Sequence, residues 1–236
     1  MSSTTASATI TRIVWQKFCG CRQSRHLLGL SSSDTVGRVT VIELRQYTLH
    51  PGQRDVLIDI FDREFVTGQE DTGMRIIGQF RDLDGPDRFV WLRSFPDMAA
   101  RAESLQAFYF GPVWREHREK ANATMIDSDD VLLLRPIVPF PVATWDGPDP
   151  AESRVLALIY QQDAEPEIAL DLIAHLETEP AENTWPALPV RTGEQVLVWF
   201  SHFATEDLLN DYLAHHPHRG AMQVLRLAPT AGSRLR

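Results

Sequence analysis

Apolar and polar positions alternate along residues 39–49, VTVIELRQYTL, with Thr40, Ile42, Leu44 and Gln46 on one side and Val41, Glu43, Arg45 and Tyr47 on the other. A period of two predicts a strand whose faces meet different neighbours. Pro51 ends it, because proline cannot donate to a ladder. Over 53–66 the period changes: Val56, Leu57, Ile60, Phe61 and Phe65 recur at helical spacing and gather into one stripe. Residues 74–81 and 88–95 predict two strands joined by DLDGPD, a turn by virtue of Gly85 and Pro86. Residues 96–110 predict a helix with Met98, Leu105, Phe108 and Tyr109 on its apolar side. Gly111 and Pro112 interrupt it, and a second helix follows over 113–123. Residues 122–130 read as an acidic return turn, and VLLLR, 131–135, as a buried strand.

The order strand, helix, strand, strand, helix, strand is that of a ferredoxin-like unit. A shortened copy follows a proline-rich stretch. It comprises a strand at 155–161, a helix at 167–176, a proline-broken strand at 185–191, a strand at 196–203, a helix capped by Thr205 and a strand at 222–227. The expected fold is therefore α+β, with two tandem ferredoxin-like halves packing sheet to sheet as an α+β barrel pseudo-dimer. The expected segments are an extension over 1–38, a first half over 39–136, a linker over 137–153 and a degenerate second half over 154–236. Dimerisation of two first halves is the rival arrangement. An exposed sheet face carrying Tyr47 and Trp91 would be costly. The second sheet is expected to cover it, which puts Glu43, Arg45 and Tyr47 inside the barrel and Ile42 and Leu44 under the helices.

Composition narrows the function classes. The chain has 236 residues and a net charge of −9. Its first 38 residues carry five basic groups against Asp34, a net of +4, which leaves −13 for the remainder. An acidic body argues against nucleic acid as a partner. No apolar run is long enough for a membrane span. Cys19 and Cys21 are the two cysteines, so disulfides are not a staple and a cytoplasmic setting is expected. The Ser-rich, basic start gives a mitochondrial transit peptide as the alternative.

No nucleophile motif, phosphate loop or dinucleotide fingerprint is present, and no metal site is expected. The candidate barrel pocket is lined by Glu43, Arg45, Tyr47, Arg75, Gln79, Trp91 and Arg93, with Arg45 or Arg93 placed to hold an anion or oxyanion. The same residues admit a second reading, in which Glu43 pairs with Arg45 or Arg93 as a satisfied ion pair. His117 shares a helix face with Trp114 and Ala121, where it would act as a base, a haem ligand or a packing group.

Three stretches carry a family resemblance: ELRQYTLHPGQ at 43–53, GMRIIGQFRDLDGPDRFVWLRSFPDM at 73–98 and FYFGPVWREHREKANATMIDSDDVLLLRP at 108–136. The first half resembles the NIPSNAP family. The resemblance implies a dimeric or pseudo-dimeric α+β barrel and transfers no catalytic residue. It implies eukaryotic relatives tied to mitochondria and vesicle traffic, and bacterial relatives near antibiotic-biosynthesis-type monooxygenases and haem-degrading enzymes. Two functions are thus in play. One is a small-ligand-binding or assembly module with no cofactor. The other is a cofactor-independent or haem-linked enzyme acting on a small aromatic or polyketide-like ligand in the barrel.

Overall fold

The structure is a computed structural model, and it describes residues 40–140, 151–164 and 170–236. The expectations for residues 1–38, for Cys19 and Cys21, and for much of the linker lie outside those residues. The unit from Val39 to Arg236 is an eight-stranded closed barrel. Its strands are β1 (Val41–Leu49), β2 (Arg75–Asp82), β3 (Arg88–Phe95), β4 (Met125–Val138), β5 (Arg154–Gln161), β6 (Leu172–Thr178), β7 (Val196–Phe203) and β8 (Gln223–Pro229). The helices are α1 (Arg54–Ile60), α2 (Val66–Glu70), α3 (Met98–Tyr109), α4 (Pro112–Asn122) and α5 (Glu206–His215), with a π-helical turn at Phe61–Phe65 between α1 and α2.

Local chemistry sets the helix ends. The Asp97 side chain accepts from the Ala100 N–H at 2.8 Å and starts α3. Thr205 accepts from Leu208 in the same way and starts α5. Gly111 divides α3 from α4: a Cβ there would lie 2.7 Å from the Ala107 carbonyl oxygen, so only glycine fits. Pro112 follows as the first residue of α4, where its missing N–H costs nothing.

The strands run β1-β3-β2-β8-β5-β7-β6-β4 around the barrel, each antiparallel to its neighbours. Within it β4-β1-β3-β2 and β8-β5-β7-β6 are the same ferredoxin-like order repeated. The seams agree as well, with Phe80 opposite Pro229 at one and Leu176 opposite Pro136 at the other. The chain is thus two tandem ferredoxin-like halves forming one α+β barrel.

Four local expectations are corrected. The helix expected at 167–176 is in its described part strand β6, because Ala174 and Leu176 alternate inward while β6 pairs with β4 and β7 to close the barrel. No strand forms at 185–191; Leu188 instead turns back to bond Trp185 and plugs into the first half's outer cluster. The acidic return at 122–130 is mostly strand, since β4 begins at Met125. That strand also runs on through Pro136 to Val138, opposite His175, into the stretch expected as linker.

The faces of the sheet are the largest correction. Ile42, Leu44, Val90, Leu92, Leu132 and Leu134 meet Val155, Ala157, Ile159, Val198 and Leu225 in one buried aliphatic cluster that fills the barrel. Val41, Tyr47, Leu49, Phe89, Trp91 and Phe95 instead pack against Leu57, Phe61, Phe65, Leu105, Phe108 and Trp114 of the helical layer. Alternation separates two faces without saying which the helices cover. Side chains from all eight strands, aliphatic apart from Phe80 and Phe200, pack the small lumen, and the face richest in aromatic rings takes the layer under the helices.

Candidate functional site

Cross-strand pairing builds the polar part of that outer face. Glu43 lies opposite Arg93, and Arg45 opposite Trp91, on β1 and β3. Directly paired residues share a face, so the four form one patch. α3 adds Arg101, one turn after the Asp97 cap and in line with Leu105 and Phe108 on the buried stripe. Glu43, Arg45, Arg93 and Arg101 are each at most 1% exposed.

Glu43 is the hub. Its Oε2 accepts from Arg45 Nη1 and from Arg93 Nε, both at 2.8 Å, and its Oε1 accepts from Arg101 Nε at 2.6 Å. Burial opposes its charge, but Arg93, Arg45 and Arg101 outweigh that and hold its carboxyl well below the usual carboxylate range. Burial also works against the charge of Arg45, yet Tyr47 and Glu43 raise its pKa. For Arg101 burial prevails and the pKa falls, with Glu43 only partly offsetting it.

Three of the remaining donors find neutral partners. Arg45 Nε donates to Tyr47 Oη at 3.1 Å, Arg93 Nη1 to Gln69 Oε1 at 2.8 Å and Arg101 Nη1 to Asn183 Oδ1 at 2.9 Å. Trp91 is within cation–π reach of two guanidiniums, with Arg93 Cζ 5.0 Å and Arg45 Cζ 5.5 Å from its ring centre. Burial pushes the Tyr47 phenol up despite Arg45, so Tyr47 stays neutral at neutral pH. The cluster therefore holds three buried cations against one buried carboxylate. Removing an ion from water costs several kcal/mol even after relaxation. Two further donors, Arg101 Nη2 and Trp91 Nε1, are buried with no hydrogen-bond partner among the described residues.

Beside the cluster is a cavity of about 30 Å³, lined by Tyr47, Phe61, Phe65, Gln69, Trp91 and Tyr109 among others. It is large enough for one or two water-sized groups. The π-helical turn supplies Phe61 and Phe65 to its wall; there the Val66 N–H reaches back five residues to the Phe61 carbonyl.

The expected pocket residues are only partly gathered. Glu43, Arg45, Tyr47, Trp91 and Arg93 meet, but under the helices and not inside the barrel. Gln79 shares their face and donates instead to Asp62 at 3.3 Å. Arg75 is exposed at the start of β2. His117 is 25% exposed, with Nε2 3.6 Å from Glu64 Oε2, and does not line the cavity. A haem does not fit: the cavity is far too small, and His117 faces Glu64. Among the described residues no group of three or more His, Cys, Asp or Glu side chains could hold a metal, and no helix is long and apolar enough to cross a membrane. Arg101, Gln69 and Asn183 escaped the sequence reading. Arg101 had a signal, because a cation at an apolar-stripe position demands a buried partner.

The second half offers an internal comparison. Matching strand registers lays Trp199, opposite Leu158 and His175, on Trp91, opposite Arg45 and Gln79. Thr205 then falls on Asp97, six residues after its tryptophan in each half. Tyr160 falls on Tyr47. Glu43, Arg45, Arg93 and Arg101 fall on Leu156, Leu158, Ser201 and Leu209, all buried.

Residues 42–140 match the sequence model of the NIPSNAP family. No curated protein gives a significant match. Solved structures do. A NIPSNAP family protein of unknown function from Agrobacterium tumefaciens is 20% identical over 42% of this chain and 89% of its own, with a TM-score of 0.39. An uncharacterized NIPSNAP-like domain protein from Burkholderia xenovorans is 23% identical over 45% and 90%, also at 0.39. A candidate monooxygenase from Fusobacterium nucleatum is 7% identical over 82% and 94%, with a TM-score of 0.54, a likeness of fold alone that extends across both halves.

Proposed function

We propose that this protein, which belongs to the NIPSNAP family through residues 42–140, is a small-ligand-binding module whose site is the layer between the first half's sheet and its helices. The observation that carries this reading is the cavity: about 30 Å³, walled by aromatic rings, and backed by a charged cluster that its own residues leave unbalanced. A cavity of that volume takes a small molecule or the head of a larger one, since sites for whole drug-sized ligands run to hundreds of Å³. The second half, over residues 154–236, closes the barrel and, among its described residues, carries no charge at the four positions that match the cluster. The filled lumen favours an assembly role as the second reading and does not support an enzyme working inside the barrel.

A thermal-shift series running from compounds of about two to four heavy atoms up to small aromatic rings tests the proposal. Binding to the native state alone raises the melting temperature. Some member of the series should stabilise the protein, and Leu57→Trp, which fills the cavity, should abolish the shift. No stabilisation anywhere in the series would return the protein to the assembly reading.

A further inference from the structure

We infer that the ligand presents a carboxylate to the Arg45, Arg93 and Arg101 guanidiniums, with Glu43 as the resident counter-ion that holds them in place. This rests on the binding reading above and narrows it to a chemical class.

Three observations converge. First, three buried guanidiniums face one buried carboxylate; Tyr47 remains a neutral phenol, and Asp129, which acts on Arg45 electrostatically, is itself exposed. Second, donors are left over. Arg101 Nη2 and Trp91 Nε1 have no partner among the described residues. Arg93 Nη1 meets the amide oxygen of Gln69, a cavity-lining group, where a carboxylate oxygen would bond more strongly. Third, the fold does not need the charges. At the corresponding positions the second half buries Leu156, Leu158, Ser201 and Leu209 beneath an equivalently capped helix, while the tryptophan and tyrosine are kept. A feature that the scaffold dispenses with in one half answers to something other than folding in the other.

A planar carboxylate suits the arrangement: guanidinium forks match it bidentately, and the aromatic wall accepts a flat or short apolar remainder. None of the three guanidiniums lines the cavity itself, which meets the cluster at Tyr47, Gln69 and Trp91; Gln69, bonded to Arg93, is the side chain that must step aside first. It sits on α2, one turn beyond the π-helical turn.

The test uses matched acids and amides: formate, acetate, benzoate and phenylacetate against formamide, acetamide, benzamide and phenylacetamide, titrated calorimetrically into the full chain at constant ionic strength. At least one acid should bind about tenfold or more tighter than its amide. The preference should fall in Arg101→Leu and vanish in Glu43→Leu/Arg45→Leu/Arg93→Ser/Arg101→Leu, which installs the second half's own residues. Acids and amides binding wild type equally would overturn the carboxylate and leave the binding reading standing. An acid preference surviving in the fourfold variant would overturn the assignment to this cluster. Failure of every compound on wild type would overturn both. The wild-type comparison decides even if the fourfold variant fails to fold.

Discussion

Beneath α3 the first half buries Glu43, Arg45, Arg93 and Arg101; at the matching places around α5 the second half buries Leu156, Leu158, Ser201 and Leu209. The strand order, the capped helix, the tryptophan and the tyrosine are common to both. What differs is how the helix is held to the sheet: by charge-assisted hydrogen bonds converging on one carboxylate, or by aliphatic contact. Buried ionic clusters seldom exceed well-packed apolar residues in stability. The leucine version shows that the scaffold tolerates the cheaper solution.

Four measurements would break or sharpen this contrast. Glu43→Gln should cost about 3–5 kcal/mol in urea unfolding, because it strands three cations away from water. A loss below about 1 kcal/mol would mean that the guanidiniums are not locked by Glu43. Leu156→Ala, at the same place in the second half, should cost about 2–4 kcal/mol through a cavity, and its loss should be independent of pH. The acid limb of stability should separate the halves next. Glu43 ionises below its ordinary value of 4.5 when folded, so its contribution is complete above that pH and is lost as pH falls towards the folded value. Asp62, Asp129 and Asp130 shift upward on folding and act in the opposite sense. Wild type should therefore lose stability relative to the fourfold variant as the pH drops from 5 to 3, through Glu43 and, because Arg45 acts on it, in part through Asp129. Smallest, Asp97→Ala and Thr205→Ala should each cost about 1 kcal/mol by loss of a cap. Unequal losses would show that the two helices depend differently on their starts.

The contrast also explains which parts of the fold were legible in the sequence. The strands at 88–95 and 196–203 read correctly because alternation and turn residues bound them locally. β6 did not, because Leu172, Ile173 and Leu176 satisfy helical spacing, and only the demand for an eighth strand makes the period two. Glu43, Arg45, Tyr47, Trp91 and Arg93 were legible as one patch from pairing alone. Their side of the sheet was not, because a polar face suggests a pocket, while the helices that cover it declare only their own stripe. Arg101, Gln69 and Asn183 come from three separate segments, and no spacing in the sequence brings them to Glu43.

The two seams, β2 with β8 and β4 with β6, have a consequence of their own. In a barrel made from two identical chains every substitution is made twice, so an innovation on one side is forced on the other. A single chain that supplies both sheets is released from that constraint. One half can keep a demanding ionic arrangement while its sibling has leucine at three of the four matching positions. Joining the halves gives the protein room to be asymmetric, with one ionic face per molecule and a second copy free to differ.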